Sequence, residues 1–218
     1  AKFRHRLPHI EVDDRGRKTL MIEGQRPSRI RDFTLEGEDL ERAQQSARLD
    51  LDSRVQDLER DGIDAEIVYP NRGLLMWASP DPEHNTAMCK VWNDWAIDFF
   101  RPQLKRSAPV AAIAPRDVES AVKEVQRVAK MGYRSLFLPV QVQDQPYNMP
   151  VYDPLWAAIQ EAGLPINFHV GTEKDPRTAT GNGGAIINYV WHAFATAIEP
   201  VVQLCASGVC ERFPHLKF

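Results

Sequence analysis

The chain has 218 residues, 43% hydrophobic and 26% charged, the ordinary mixture of a soluble globular protein with one large domain or two small ones. Its net charge of -3, with Arg and Lys scattered among acids, gives no electrostatic reason to expect nucleic acid or a membrane surface as partner. No apolar stretch is long enough to cross a bilayer and no signal peptide is visible. Cys89, Cys205 and Cys210 lack zinc-type spacing, and an odd number cannot all pair, so a reducing, cytoplasmic compartment is the expectation.

Residues 1–44 are charged and punctuated by Pro8, Gly16, Gly24 and Pro27, and read as an irregular arm with a short hairpin around Asp13 to Gly16. Regularity begins near Ala43. Leu51, Val55 and Leu58 recur at helical spacing, and Asp61-Gly62 ends that helix. Ala65 to Tyr69 reads as a short buried strand closed by Pro70. Asp81-Pro82 is a cap with proline at the first helical position, opening a helix striped by Met88, Val91, Trp92 and Trp95. Val110 to Ile113 is the next strand. A helix over 116–131 turns Val118, Val122, Val125 and Val128 inward and stops at Gly132.

Ser135 to Leu138 is a strand closed by Pro139. Asp153-Pro154 starts a capped helix with Leu155, Trp156 and Ile159 inward, stopped by Gly163. The apolar run Leu164 to Gly171 follows and carries His169 near its end. Ile186 to Ala206 is apolar and helical, and its Pro200 predicts a kink or a division. Leu216 to Phe218 opens one more strand.

Strands alternating with helices predict a parallel sheet with helices outside. Helix-to-strand connections are short (61–64, 131–134, 162–165), whereas strand-to-helix connections are long (70–80, 139–150, 171–184). Long loops on one rim are the mark of an α/β enzyme of the (β/α)8 TIM-barrel type, whose site is built there. A doubly wound sheet ranks second, since no Gly-rich phosphate turn follows the first strand.

His169 lies at a strand tip where long loops converge, which suits a metal ligand or catalytic base; the plainer reading is a half-buried, hydrogen-bonded histidine. Arg72, just past the Tyr69-Pro70 strand end, offers a fork of donors to an anionic group, or is a solvated turn residue. Met76 and Trp77 in the same loop wall a pocket or pack as a lid. Gln141, Gln143 and Tyr147 point at the same rim. Thr180 to Gly184 lacks the Lys and Ser/Thr of a P-loop and reads as a flexible site loop. His192, among Trp191, Ala193 and Phe194, reads as a core or partner-facing residue. His5 and His9 have the spacing of a helical zinc pair, but Pro8 argues against a helix there.

Five blocks stand in order: residues 62–70 (GIDAEIVYP), 152–156 (YDPLW), 161–165 (EAGLP), 168–171 (FHVG) and 208–217 (GVCERFPHLK). Together they resemble the amidohydrolase-related family that includes aminocarboxymuconate semialdehyde decarboxylase and related non-oxidative decarboxylases. The resemblance implies a TIM-barrel metalloenzyme, commonly with zinc, acting as hydrolase or decarboxylase on a small, carboxylate-bearing molecule. Family members carry a His-x-His pair on the first strand, a metal-binding histidine on the fifth, a catalytic histidine on the sixth and a metal-binding aspartate on the eighth.

Only the fifth-strand histidine has a match, His169, and no His-x-His occurs in the sequence. By this alignment the chain holds strands 2–5 and the start of strand 6, with 1–44 as an N-terminal arm and 45–218 as a partial barrel. The catalytic residues are then expected beyond Phe218, the zinc site is incomplete, and the segment alone is expected to be inactive while its parent is an enzyme. Arg72, Trp77 and Gln141 are the substrate-pocket candidates. Open barrel edges predict a homo-oligomer. The rival expectation is a metal-free ligand-binding or assembly module on a truncated β/α fold.

Overall fold

The computed structural model describes residues 2–30, 35–46, 50–142, 144–172 and 179–218. The chain divides into two compact units, residues 1–68 with 96–109 and residues 69–95 with 110–218.

In the first unit, strands β1 (His9–Val12), β2 (Lys18–Met21) and β3 (Ser28–Arg29) form an antiparallel sheet in chain order. The expected hairpin is present. The Asp13 carboxylate accepts from the backbone N–H groups of Arg15 and Arg17 at 2.9 Å each, and Gly16 takes the positive φ of +73° that the turn requires. Helix α1 (Gly37–Ser46) precedes helix α2 (Leu51–Arg60). Asp50 caps α2 by accepting from Ser53 N at 2.8 Å, and Leu58 is its buried residue.

Strand β4 (Glu66–Val68) runs parallel to β5 (Ser107–Pro109). The Arg54 guanidinium grips the Glu66 carboxylate through two bonds of 2.6 and 2.7 Å, and Ser107 Oγ adds a third at 2.8 Å. Burial pushes the Glu66 carboxyl up, but the Arg54 and Ser107 hydrogen bonds and the Arg54 charge outweigh it and hold it below its ordinary value.

Helix α3 (Pro82–Phe100) starts in the second unit and ends in the first. Asp81 accepts from Glu83 N at 3.0 Å, so the Asp-Pro start is as expected. Its apolar stripe is only half as expected: Met88 and Trp92 pack against the core, but Val91 and Trp95 face outward at 67% and 52% exposure, while Asn85, Cys89 and Asn93 are buried.

The second unit holds a parallel sheet, β6 (Ala111–Ala112), β7 (Leu136–Pro139) and β8 (Ile166–His169), in chain order. Every residue of β7, its central strand, is buried, as the uninterrupted apolar sequence requires. Beyond β8, Ile166 N donates to Lys217 O at 2.8 Å and the rings of Phe168 and Phe218 stack, so the predicted last strand begins to pair there. Between the strands, α4 (Val118–Met131) and α5 (Asp153–Ala162) end at Gly132 and Gly163, both with positive φ. Asp153 was expected as a cap, but it accepts from Arg212 at 3.0 Å instead, and Pro150 to Tyr152 form a 3-10 turn that leads into α5. The sheets do not close among the described residues.

On its other edge β6 is satisfied by side chains. Asn93 Nδ2 donates to Ala112 O at 2.9 Å and Asn93 Oδ1 accepts from Ala112 N at 2.7 Å. Trp92 Nε1 donates to Val110 O and Trp77 Nε1 to Ile113 O, each at 2.8 Å. These bonds set which face of α3 turns inward, because buried backbone groups must be paired. Around them lies a core of Met76, Trp77, Cys89, Val110, Ala112 and Phe137.

After β8, α6 (Gly184–Ile186) leads through a π-helical stretch (Ile187–His192) into α7 (Ala193–Ala206). Pro200 was expected to kink or divide this helix, but α7 is not divided there. A short α8 (Val209–Arg212) follows. No described helix is long and apolar enough to cross a membrane.

Candidate active site

His169 ends β8, the position at which the site residues of parallel β/α folds stand. Its Nδ1 lies 2.6 Å from Val170 O. A carbonyl can only accept, so Nδ1 carries a proton, and in the neutral imidazole Nε2 is the nitrogen left with a lone pair. Metal-binding imidazoles are commonly held this way, with one ring N–H donated to a carbonyl and the other nitrogen left for the ion. The half-buried ring packs 5.4 Å from the Tyr69 ring and 6.2 Å from the Phe137 ring.

The surrounding backbone is fixed by two polar chains. Thr172 Oγ1 donates to His169 O at 2.8 Å and accepts from Val140 N at 2.9 Å, which ties the loop after β8 to the loop after β7. Gly171 allows this with φ of +79°. Tyr69 donates to Asn167 Oδ1 at 2.8 Å, and Asn167 Nδ2 donates to Leu136 O at 3.0 Å. Burial pushes the Tyr69 hydroxyl above its ordinary value, so it stays a donor at neutral pH.

An open cleft lies at the C-terminal ends of β6 and β7; His169 is not among its lining residues, but its register partner Pro139 is. Trp77, Asn85, Arg116, Pro139, Gln141 and Val142 line it. The structure thus brings together Trp77 and Gln141, two of the sequence candidates. Trp77 is at once core and wall: its ring meets Phe137 edge-on at 4.9 Å. Gln141 Nε2 is committed to Glu199. Arg116 donates one N–H to Pro80 O at 3.1 Å. Asn85 is 3% exposed; its Nδ2 donates to Ser79 O at 3.1 Å, while its Oδ1 has no partner among the described residues.

Other candidates fall elsewhere. Arg72 opens a 3-10 turn (Arg72–Leu75), and its side chain lies outside the description, as does Gln143 altogether. Tyr147, expected at the rim, is fully buried. It donates to Pro139 O at 2.7 Å and packs on Tyr152, Trp156 and Phe168, which makes it a core residue under the β7 loop. Across the glycine-rich loop, Asn188 of the π-helical stretch holds Ala179 through bonds of 2.7 and 3.0 Å. His192 is half-buried and its Nδ1 has no partner among the described residues. His5 and His9 sit in a 3-10 turn and in β1, not on one helix.

Arg116 and Asn85 were not singled out from the sequence. Arg116 stands just past a strand tip, and position alone would have flagged it. Asn85 sits in a helix where nothing in the sequence marks a polar residue as buried.

A divalent ion needs three or more protein ligands converging on one point. No group of three His, Cys, Asp or Glu side chains suited to this occurs among the described residues. His169 therefore fits one position of such a site, and the described residues do not fit a whole one.

Comparison with known proteins agrees with this architecture. Residues 39–218 match the amidohydrolase family model. No curated protein matches. Among solved structures, 5-carboxyvanillate decarboxylase LigW from Sphingomonas paucimobilis is 25% identical, with a TM-score of 0.61 over 75% of this chain and 49% of its own. A dihydroxybenzoic acid decarboxylase from Polaromonas sp. JS666, with bound manganese and 2-nitroresorcinol, is 23% identical, with a TM-score of 0.65 over 83% and 57%. An amidohydrolase from Mycobacterium avium subsp. paratuberculosis K-10 is 19% identical, with a TM-score of 0.70 over 99% and 65%. The chain thus spans from about half to just under two thirds of the length of these relatives. With a mixed α/β fold, a histidine at a parallel strand tip and a family match over most of its length, the chain belongs to the amidohydrolase family.

Proposed function

We propose that this chain is part of the catalytic domain of a metal-dependent amidohydrolase-type enzyme, a hydrolase or non-oxidative decarboxylase of a small carboxylate-bearing molecule. The domain is a (β/α)8 barrel whose second to fifth strands end near Val68, Ala112, Pro139 and His169, with residues 1–44 as an arm. The observation that carries the reading is the His169 imidazole at the tip of β8, its Nδ1 donating to Val170 O and its strand paired in register with Pro139 of the cleft wall.

His169 Nε2 would hold one position on such an ion, zinc in the first instance, with the remaining ligands and catalytic groups outside the described residues. The ion would supply Lewis-acid polarisation of a carboxylate, hydroxyl or water. The cleft residues bind and orient. Arg116 offers a guanidinium fork to the substrate carboxylate, and Asn85 Oδ1 accepts from a substrate hydroxyl. Trp77 gives a flat apolar wall that excludes water, and Gln141 is held in the wall by Glu199. Arg72 is a further substrate-contacting candidate from the adjoining loop. The LigW relative, a 5-carboxyvanillate decarboxylase, supports a carboxylate-bearing substrate.

The test is turnover by the full-length gene product on a panel of small hydroxylated acids. Carbon dioxide release identifies a decarboxylase, and uptake of solvent oxygen into product identifies a hydrolase. Loss of turnover in His169→Ala with the fold intact is the expected result, and undiminished turnover overturns the assignment.

A further inference from the structure

Two primary amides line the cleft, and each is fixed end for end by what it touches. Asn85 Nδ2 lies 3.1 Å from Ser79 O and 3.4 Å from Trp77 O, and carbonyls only accept. The nitrogen therefore belongs at that end. Oδ1, buried and without a partner among the described residues, is the end left over. Gln141 is fixed by a carboxylate. Its Nε2 donates to Glu199 Oε2, and turning the amide over would set oxygen against oxygen.

Glu199 is itself held. It lies in α7 between the buried Thr196 and Pro200. Its Oε1 accepts from Gln203 Nε2, one turn on, at 2.8 Å, and Gln203 Oε1 accepts from Tyr147 N at 2.9 Å. Tyr147 is the core residue under the β7 loop, so the chain of bonds runs from the core through Gln203 and Glu199 to the cleft wall. Both oxygens of the carboxylate are met by amide N–H groups, and its charge strengthens each bond.

With the cleft as the substrate site proposed above, we infer that Glu199 is a positioning residue. It turns the Gln141 carbonyl oxygen, rather than the NH2, toward the ligand. Gln141 Oε1 and Asn85 Oδ1 are then two acceptors in one cleft that also holds the Arg116 cation. Such a cleft selects an acid that carries O–H or N–H hydrogens in addition to its carboxylate. It rejects the same acid without them, because the amide oxygens then stay unmet. With the Glu199 charge removed, the Gln141 amide turns over, offers N–H as readily as oxygen, and its share of the selection is lost.

The test has two parts, both on the full-length gene product. NMR of the isotopically labelled Gln141 side-chain amide, assigned by its absence in Gln141→Leu, is expected to show one hydrogen shifted downfield and slowed in exchange. Glu199→Gln is expected to move both toward ordinary values. Calorimetric titration then compares small hydroxylated acids with their analogues lacking the hydroxyl groups. The unaltered protein is expected to favour the hydroxylated acid by about 100-fold, and Glu199→Gln to cut that preference by about tenfold, with affinity for the analogue held within a few-fold. A merely structural defect would weaken both acids alike. Should Glu199→Gln fail to fold, Gln141→Leu, which removes the oxygen and keeps the bulk, reads the same preference. A preference that the variant leaves unchanged, or a Gln141 amide indifferent to Glu199, overturns the role of Glu199 and leaves the site in place. Binding of neither acid overturns the substrate reading of the cleft, and the role of Glu199 with it.

Discussion

Asn93 is bonded to Ala112 as a neighbouring strand would be, its amide donating to the carbonyl at 2.9 Å and accepting from the N–H at 2.7 Å. The same amide donates to the buried Glu124 carboxylate at 2.7 Å, which Arg127 grips from the other side with bonds of 2.6 and 2.8 Å. One side chain thus closes the edge of β6 and completes a buried polar group.

Asn93→Leu is therefore expected to destabilise the fold by about 3 kcal/mol, since a buried N–H and a buried C=O each lose their partner at about 1–3 kcal/mol. Urea unfolding followed by tryptophan fluorescence measures it. A loss under about 1 kcal/mol would mean that the edge re-forms its bonds elsewhere.

Thr172→Val tests the tie between the loops after β7 and β8. The valine keeps the volume and removes the hydroxyl that bridges His169 O and Val140 N. A loss of about 2 kcal/mol is expected. Hydrogen exchange at the Val140 amide is expected to accelerate, and an unchanged rate would show that the bridge does not hold the loop.

The Arg54–Glu66 pair gives a pH dependence. The folded Glu66 carboxyl titrates below its unfolded value, so its stabilisation is fully present above the ordinary glutamate range and is lost as pH falls through the lower, folded value. Glu66→Gln is expected to destabilise by about 1 kcal/mol at neutral pH, a modest figure because Arg54 is partly exposed and solvent screens the pair. The difference between the two proteins is expected to shrink on acidification. A gap that stays constant to strongly acidic pH would contradict it.

Much of the architecture was legible because it is written in periodicity and punctuation. The strands ending at Val68, Ala112, Pro139 and His169, the Asp81-Pro82 start and the Gly132 and Gly163 stops all follow local rules. What was hidden depends on polar partners distant in sequence. The inward face of α3 follows Asn93 and its bonds to Ala112, not the Val91 and Trp95 stripe. Tyr147 looks like a rim residue until its hydroxyl finds Pro139 O. Pro200 does not divide α7. In the cleft, Trp77 and Gln141 could be placed from their positions after strand ends, whereas Asn85 became visible only through its burial.

For the cleft, Arg116→Ala in the full-length gene product is expected to raise KM for the carboxylate substrate by about 10- to 100-fold and to leave kcat within a few-fold, the signature of lost ground-state binding. Arg116→Lys, a point charge without the fork, is expected to recover only part of it. An unchanged KM in Arg116→Ala would remove this residue from the substrate site.

The most direct measurement is metal occupancy. The full-length gene product, purified without chelators and analysed by plasma mass spectrometry, is expected to carry about one equivalent of divalent metal per chain. His169→Ala is expected to lower it at least tenfold with the thermal transition intact. Full occupancy in that variant would contradict the account, because the imidazole at the tip of β8 would then hold no ion.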